Sequence, residues 1–210
     1  MGNRAVITRS NEVDVANSSD IGVYLHWNGG RDSVEAFLEY CKLRDFRTDD
    51  YGWARLCQVI ANFFGKDGLS VGIEQCCKLD CDNYDNGIYI IKGWEIVGRQ
   101  YFEGEEQNCY DLTEMLLEID AAQPVAQQLG KEFITAEIIP MSELKIGDDV
   151  FVNTYGGYEK HTVAGFGENT MVNGTNVYGT PYVKMYGDEQ RGYTWNINNF
   201  IRDNYVRVVR

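Results

Sequence analysis

Only three prolines and two histidines occur in 210 residues, and there is no low-complexity tract. With 44% apolar residues, that composition excludes a disordered or extended chain. No apolar run approaches the roughly 20 residues needed to span a bilayer, so no membrane partner is expected. The opening MGNRAVITRSNEVD lacks the apolar stretch of a secretory signal, and Val6 stands where a myristoylation motif wants Ser or Thr. Neither a GxGxxG nor a Walker phosphate loop is present. Positive charge is the main shortage: 19 Lys and Arg against 32 Asp and Glu leave a net charge of −13. Such a chain repels a phosphate backbone, so direct nucleic-acid binding is not expected.

The acids are concentrated. Between Glu74 and Asp120 stand twelve Asp or Glu and three Lys or Arg. The candidate exposed members are Asp80, Asp82, Asp85, Glu103, Glu105, Glu106, Asp111, Glu114 and Glu118. Solubility needs only scattered charge. A dense row of carboxylates can imitate part of a duplex, which carries one charge per ~1.7 Å, and would steer into a groove lined with Lys and Arg. The expected partner is therefore a protein that handles nucleic acid.

Metal and thiol chemistry find less support. Read as an EF-hand loop, Asp80 to Gly87 fails at Tyr84 and Asp85 in one register and at Tyr84 and Gly93 in the other. Cys76, Cys77 and Cys81 resemble half a zinc site, but His26 and His161 are distant in sequence. Cys41 and Cys57 fall on apolar helix faces. Six free thiols in a reducing cytoplasm are expected, with no cofactor, no metal and no catalytic residue.

Hydrophobic periodicity predicts strands at Ala5 to Thr8 and Ile21 to Trp27, then a helix capped by Asp32 or Ser33 with Glu35 completing a capping box. A second helix is expected from Tyr51 to Phe64, a strand from Leu69 to Ile73, and a hairpin of Ile88–Ile91 and Trp94–Val97 around Lys92-Gly93. A third helix covers Asp111 to Ala122, and Pro124 ends it. Beyond about residue 135 helices give way to short strands, including 161–166, 182–186 and 205–209. The string LKIGDDVFV at 144–152 is similar to the opening of SH3-like barrels. The reading is α+β: an acidic domain over 1–134 and a small SH3-like β-barrel over 135–210.

Two further features invite ligands. His26-Trp27-Asn28-Gly29-Gly30-Arg31 joins a strand to a helix N-terminus and can present amides and one guanidinium to an anion. The function that follows is sequestration of a nucleotide signal; the plainer reading is a tight turn with Trp27 in the core. Tyr155, Tyr158, Tyr178, Tyr182, Tyr186, Tyr193 and Trp195 crowd the second domain. Without a basic groove, these rings suit a protein partner better than stacked bases.

The strings GNRAVIT at 2–8, IGVYLHWNGGRDSVEAFLEYCK at 21–42, YGWARLCQVIANFFG at 51–65 and DNGIYIIKGWEIVGR at 85–99 resemble a family of uncharacterised proteins from phages and mobile elements of Gram-positive bacteria. The resemblance covers about half the chain and carries no catalytic motif. It implies an anti-defence setting, in which small acidic proteins inhibit host machinery such as CRISPR nucleases. The combined expectation is a non-enzymatic inhibitor in the bacterial cytoplasm that binds a host nuclease complex through its acidic surface. The sequence sets no oligomeric state.

Overall fold

The computed structural model describes residues 2–65, 70–106, 108–154, 157–167, 170–172, 175–177, 180–184, 194–196 and 205–210, with backbone alone for 153–154, 164–167 and the four segments from 170 to 196. The architecture is α+β, in two compact units, Met1–Gly130 and Lys131–Arg210. No helix among the described residues is long and apolar enough to cross a membrane.

The first unit is built on a mixed sheet of β1 (Ala5–Thr8), β2 (Ile21–Leu25), β3 (Val71–Gln75), β4 (Ile88–Lys92) and β5 (Glu95–Gln100), in the order β3-β2-β1-β4-β5. β1 runs antiparallel to β2, with Val6 opposite Tyr24, and parallel to β4, with Val6 opposite Ile88. All four β1 residues are buried, as expected of a central strand covered on both faces. Val6 and Ile88 face a cluster with Val15, Cys76 and Cys81, brought there by two 3-10 turns, Val15–Asn17 and Cys76–Lys78. Helices α1 (Arg31–Leu43), α2 (Asp50–Phe64) and α3 (Leu112–Ala122) pack on one another, α1 against β5 and α2 against β3. Their stripes bury Val34, Phe37, Leu38, Leu56, Ile60, Met115 and Ile119, each contributing about 1.5–3 kcal/mol.

Local chemistry sets the helix ends. The Asp49 carboxylate accepts from the Tyr51 and Gly52 amides at 3.1 and 3.3 Å. Asp111 accepts from Thr113 and Glu114 at 2.9 and 3.1 Å. Each cap stabilises its helix by ~1 kcal/mol. α1 departs from expectation. It is entered through Gly30 with no side-chain cap, Asp32 and Ser33 lie inside the helix, and Glu35 takes Arg31 rather than closing a capping box. β2 ends at Leu25, so Trp27 lies beyond the sheet and is 44% exposed; it is not a core residue. The hairpin turns through Gly93 (φ +58°) and Trp94 (φ +65°), the two positive dihedrals that match the twist of adjoining strands. Trp94 tolerates this backbone because its indole is buried and donates to the Phe46 carbonyl at 3.0 Å. β3 is described from Val71; Leu69 lies outside the described residues.

The second unit comprises α4 (Lys131–Thr135), β6 (Glu137–Pro140), β7 (Asp149–Thr154), β8 (Gly157–Gly167), β9 (Thr170–Val172), β10 (Thr175–Val177), β11 (Thr180–Lys184), β12 (Thr194–Asn196) and β13 (Tyr205–Val209). Six strands form one sheet in the order β12-β11-β8-β7-β13-β6, and β9 pairs with β10. Ile139, Leu144, Val150, Val152, Val163, Val206 and Val208 fill its core. The Phe133 ring lies against Phe151 and Tyr158, with centroids 5.1 and 4.3 Å away, and the Arg207 guanidinium covers it at 4.8 Å. The expected closed barrel is not reached among the described residues. β13 already has β7 on one side and β6 on the other, so β6 occupies the edge through which closure would run.

Candidate functional site

The nine candidate acids separate by what holds them. Asp85 is an internal clasp: one oxygen accepts from the Arg4 Nε at 2.6 Å and the Arg4 amide at 3.2 Å, tying β1 to the turn before β4. Asp80 reaches the same guanidinium at 3.6 Å. Glu106 is also engaged, as described below. Asp111 is exposed but spends an oxygen on the α3 cap. Asp82, Glu103, Glu105, Glu114 and Glu118 are exposed and form no ion pair among the described residues.

Contacts link the segments that carry these groups. The Asp80–Gly87 turn abuts the end of β5, since a Cβ on Gly87 would sit 2.2 Å from the Gln100 carbonyl and 2.3 Å from that of Tyr101. The segment after β5 is pinned to the first turn of α1, where Asp32 Oδ2 accepts from the Cys109 and Tyr110 amides at 2.6 and 3.0 Å. α3 follows and packs along α1. Glu114 and Glu118 stand one helical turn apart on its exposed side, a like-charge pair that costs a few tenths of a kcal/mol. No Lys or Arg occurs between Arg99 and Lys131, so nothing local on that stretch offsets the repulsion. Tyr110 and Leu112, each 48% exposed, lie among the acids. One acid of the tract is structural: Asp120 is buried and accepts from the Tyr40 hydroxyl at 2.8 Å and from the Leu129 and Gly130 amides at 2.7 and 2.9 Å.

The His26–Arg31 loop is not an open phosphate cradle. Gly29 donates its amide to the Asn3 carbonyl at 2.7 Å, and a Cβ there would sit 2.6 Å from that oxygen. Gly29 and Gly30 are buried, and Asn28 adopts φ +52° to make the turn. His26 is exposed; its Nδ1 lies 3.2 Å from the Tyr24 hydroxyl, and its ring meets Trp27 edge-on at 5.0 Å. Arg31 leaves the loop altogether. Its Nε donates to Glu35 at 2.7 Å and its Nη1 to Glu106 at 3.4 Å, and Glu35 foremost holds the guanidinium pKa above its ordinary value.

Arg99, which the sequence did not single out, is the centre of this region. Its Nη1 donates to both Glu106 oxygens at 2.7 and 2.9 Å, and its Nε to the Asn86 carbonyl at 2.8 Å. Its guanidinium lies between the rings of Tyr89 and Phe102, 3.9 and 3.8 Å from their centroids. The signal available in the sequence was register alone: a lone Arg on an edge strand, opposite Tyr89.

The thiols sit in three environments. Cys41, Cys76 and Cys81 are buried, Cys57 is half-buried, and Cys77 and Cys109 are exposed; all six are free. Burial pushes Cys81 up to about 11. Among the described residues no group of three or more His, Cys, Asp or Glu is placed to hold a metal ion. Of the clustered aromatics, Tyr158 packs in the second unit as given above; Tyr155, Tyr178, Tyr186 and Tyr193, and the side chains of Tyr182 and Trp195, lie outside the described residues. No family model, curated protein or solved structure matches this chain.

Proposed function

We propose that this protein is a non-enzymatic inhibitor that docks its acidic side into the basic nucleic-acid groove of a host protein, a CRISPR effector nuclease being the expected target class. The observation that carries the reading is the stretch from Arg99 to Lys131. It places Glu103, Glu105, Glu114 and Glu118 on the surface with no cation in the intervening sequence and no ion pair among the described residues. An acidic face kept for solubility would gain from a Lys four residues after Glu114, yet Glu118 stands there. Exposed Tyr110 and Leu112 supply the apolar anchors that a charge-steered interface needs at its centre. The anti-defence setting, the host-cell cytoplasm and membership of the phage and mobile-element family are part of the same proposal, and rest on the resemblance of the N-terminal strings. An SH3-like character of the second unit is also proposed; it rests on the LKIGDDVFV string at 144–152, and the pairing of β13 with β7 supports it.

The test is a DNA-cleavage assay with a CRISPR effector, run with the wild-type chain and with Glu103, Glu105, Glu114 and Glu118 all changed to Lys. Glu106 and Asp85 are left alone because arginines already neutralise them. Inhibition should fall about a hundredfold in the variant, and should fade between 50 and 500 mM salt for the wild type, as screening shortens the reach of exposed charge to a few ångströms. Inhibition unaffected by either change would overturn charge mimicry.

A further inference from the structure

We infer that the first turn of α1 and the end of β5 form a binding site for a phosphoryl oxyanion, which the protein's own Glu106 carboxylate occupies from within. The inference is independent of the partner-binding role proposed above and concerns cations rather than acids.

Three observations converge. First, two guanidiniums from separate elements meet on one carboxylate: Arg99 at 2.7 and 2.9 Å and Arg31 at 3.4 Å. Arg99 is rigidly mounted, with its Nε on the Asn86 carbonyl and its plane between two aromatic rings. Such a fixed fork suits carboxylates and phosphates. Second, the 13-residue helix α1 begins at Arg31, and its N-terminal end favours negative charge. Third, two fully buried hydroxyls, Ser33 Oγ and Tyr89 Oη, have no hydrogen-bond partner among the described residues. Ser33 belongs to that same first turn of α1. The Tyr89 ring lies directly under the Arg99 guanidinium, and its hydroxyl feels the charges of Arg99, Glu106, Arg31 and Asp32. An unpaired buried hydroxyl is unfavourable and calls for a partner.

Counting oxygens identifies the ligand class. Glu106 Oε1 accepts from both arginines and Oε2 from Arg99 alone, and neither oxygen accepts from the Ser33 or Tyr89 hydroxyl. A tetrahedral oxyanion on the same arginines brings one or two further oxygens, and those can accept from the hydroxyls. A carboxylate ligand would only repeat what Glu106 does. Asp32 is an opposing charge in the same turn, and its oxygens accept from the Ser33, Cys109 and Tyr110 amides. Glu35 holds the other side of Arg31 at 2.7 Å. Displacing Glu106 frees one contact of a strap that Asp32 still pins, so the exchange needs no unfolding.

The experiment is calorimetric titration of inorganic phosphate, and separately of adenosine monophosphate, into the full chain at fixed ionic strength. Glu106→Gln removes the competing charge and should bind phosphate at least about tenfold more tightly than the wild type, a difference of ~1.4 kcal/mol. In that background Tyr89→Phe and Ser33→Ala should each weaken binding severalfold, and Arg99→Gln should abolish it. Equal affinity for the monophosphate identifies a phosphomonoester, and preference for phosphate identifies the free ion. If Glu106→Gln binds no better than wild type, or Tyr89→Phe in that background changes nothing, the site is refuted. Should Glu106→Gln fold poorly, side-chain NMR of the wild type decides: phosphate must shift the Arg99 Nε–H resonance, and its constancy counts against the site.

Discussion

Asp120 and Glu118 are two residues apart in one acidic helix, yet the structure gives them opposite roles. Asp120→Ala removes an acceptor from three donors. The Tyr40 hydroxyl is buried and would be left without a partner, at about 1–3 kcal/mol. The Leu129 and Gly130 amides are half-buried and can recover water, so each costs ~1 kcal/mol. The total is about 4 kcal/mol, a large share of the 5–15 kcal/mol that holds a domain together. Asp120→Asn keeps one oxygen but points an amide NH2 at a backbone N–H, for about 2 kcal/mol. Tyr40→Phe leaves the carboxylate with its two amides and costs ~1 kcal/mol, and the double variant should cost less than the sum. Glu118→Gln, exposed, should stay within ~0.5 kcal/mol. Urea unfolding followed by helical ellipticity reads the first unit, which contains the three long helices, and the midpoint shift at constant slope gives each value. A loss under ~1 kcal/mol for Asp120→Ala would refute the division of this tract into structural and surface acids.

Other outcomes follow from the same geometry. Each Glu-to-Lys reversal adds two charges, so the four-site variant moves the net charge from −13 to −5; because those side chains are exposed and unpaired, its unfolding midpoint in urea should match the wild type within ~1 kcal/mol. Gly52→Ala should destabilise by about 3 kcal/mol or more, since the new Cβ would lie 1.4 Å from the Arg47 carbonyl oxygen at the start of α2; a thermal melt unchanged from wild type would contradict this. Under native conditions Cys77 and Cys109 should be labelled by a thiol reagent first, Cys57 later, and Cys41, Cys76 and Cys81 only on unfolding, as mass spectrometry of timed samples can show. Burial keeps Cys81 protonated up to about pH 11 in the fold, whereas an unfolded thiol ionises near ~8.5. The neutral form is the one the fold favours, so stability should be level below pH 8 and decline by up to ~1.4 kcal/mol per pH unit for this group between about 9 and 11; alkaline titration of the urea midpoint reads that slope.

The elements that were legible are those whose signals are local. α2 and α3 each carry an apolar stripe and an Asp immediately before the first turn, and both carboxylates cap as sequence logic requires. α1 has the same kind of Asp, but Asp32 reaches 77 residues along the chain to the Cys109 amide instead; no local rule could reveal that, and the predicted start shifted accordingly. Trp27 continues the alternation of β2 by pattern, yet the strand stops at Leu25 because Gly29 must press against Asn3. Charge density marked the acidic tract, while the separation of Asp85 and Glu106 from their exposed neighbours depended on Arg4 and Arg99, partners set by sheet register. Arg31 was read as part of a loop site, and the fold gave it to Glu35 and Glu106. The open sheet of the second unit likewise depends on β6 pairing with β13 across some seventy residues, a choice invisible in either segment.

The parallel neighbour of β1 is β4, so the first strand of the sheet is completed by one that begins at Ile88, some eighty residues later. A nascent polypeptide that has emerged only as far as α2 carries its most apolar strand with one edge bare and with the Cys76–Cys81 cover still unmade. Long-range closure of this kind is slow and exposes sticky surface while it waits. Assembly of the first unit is thus a late event on the ribosome, and fragments ending before residue 100 should depend on chaperones rather than rest as stable intermediates.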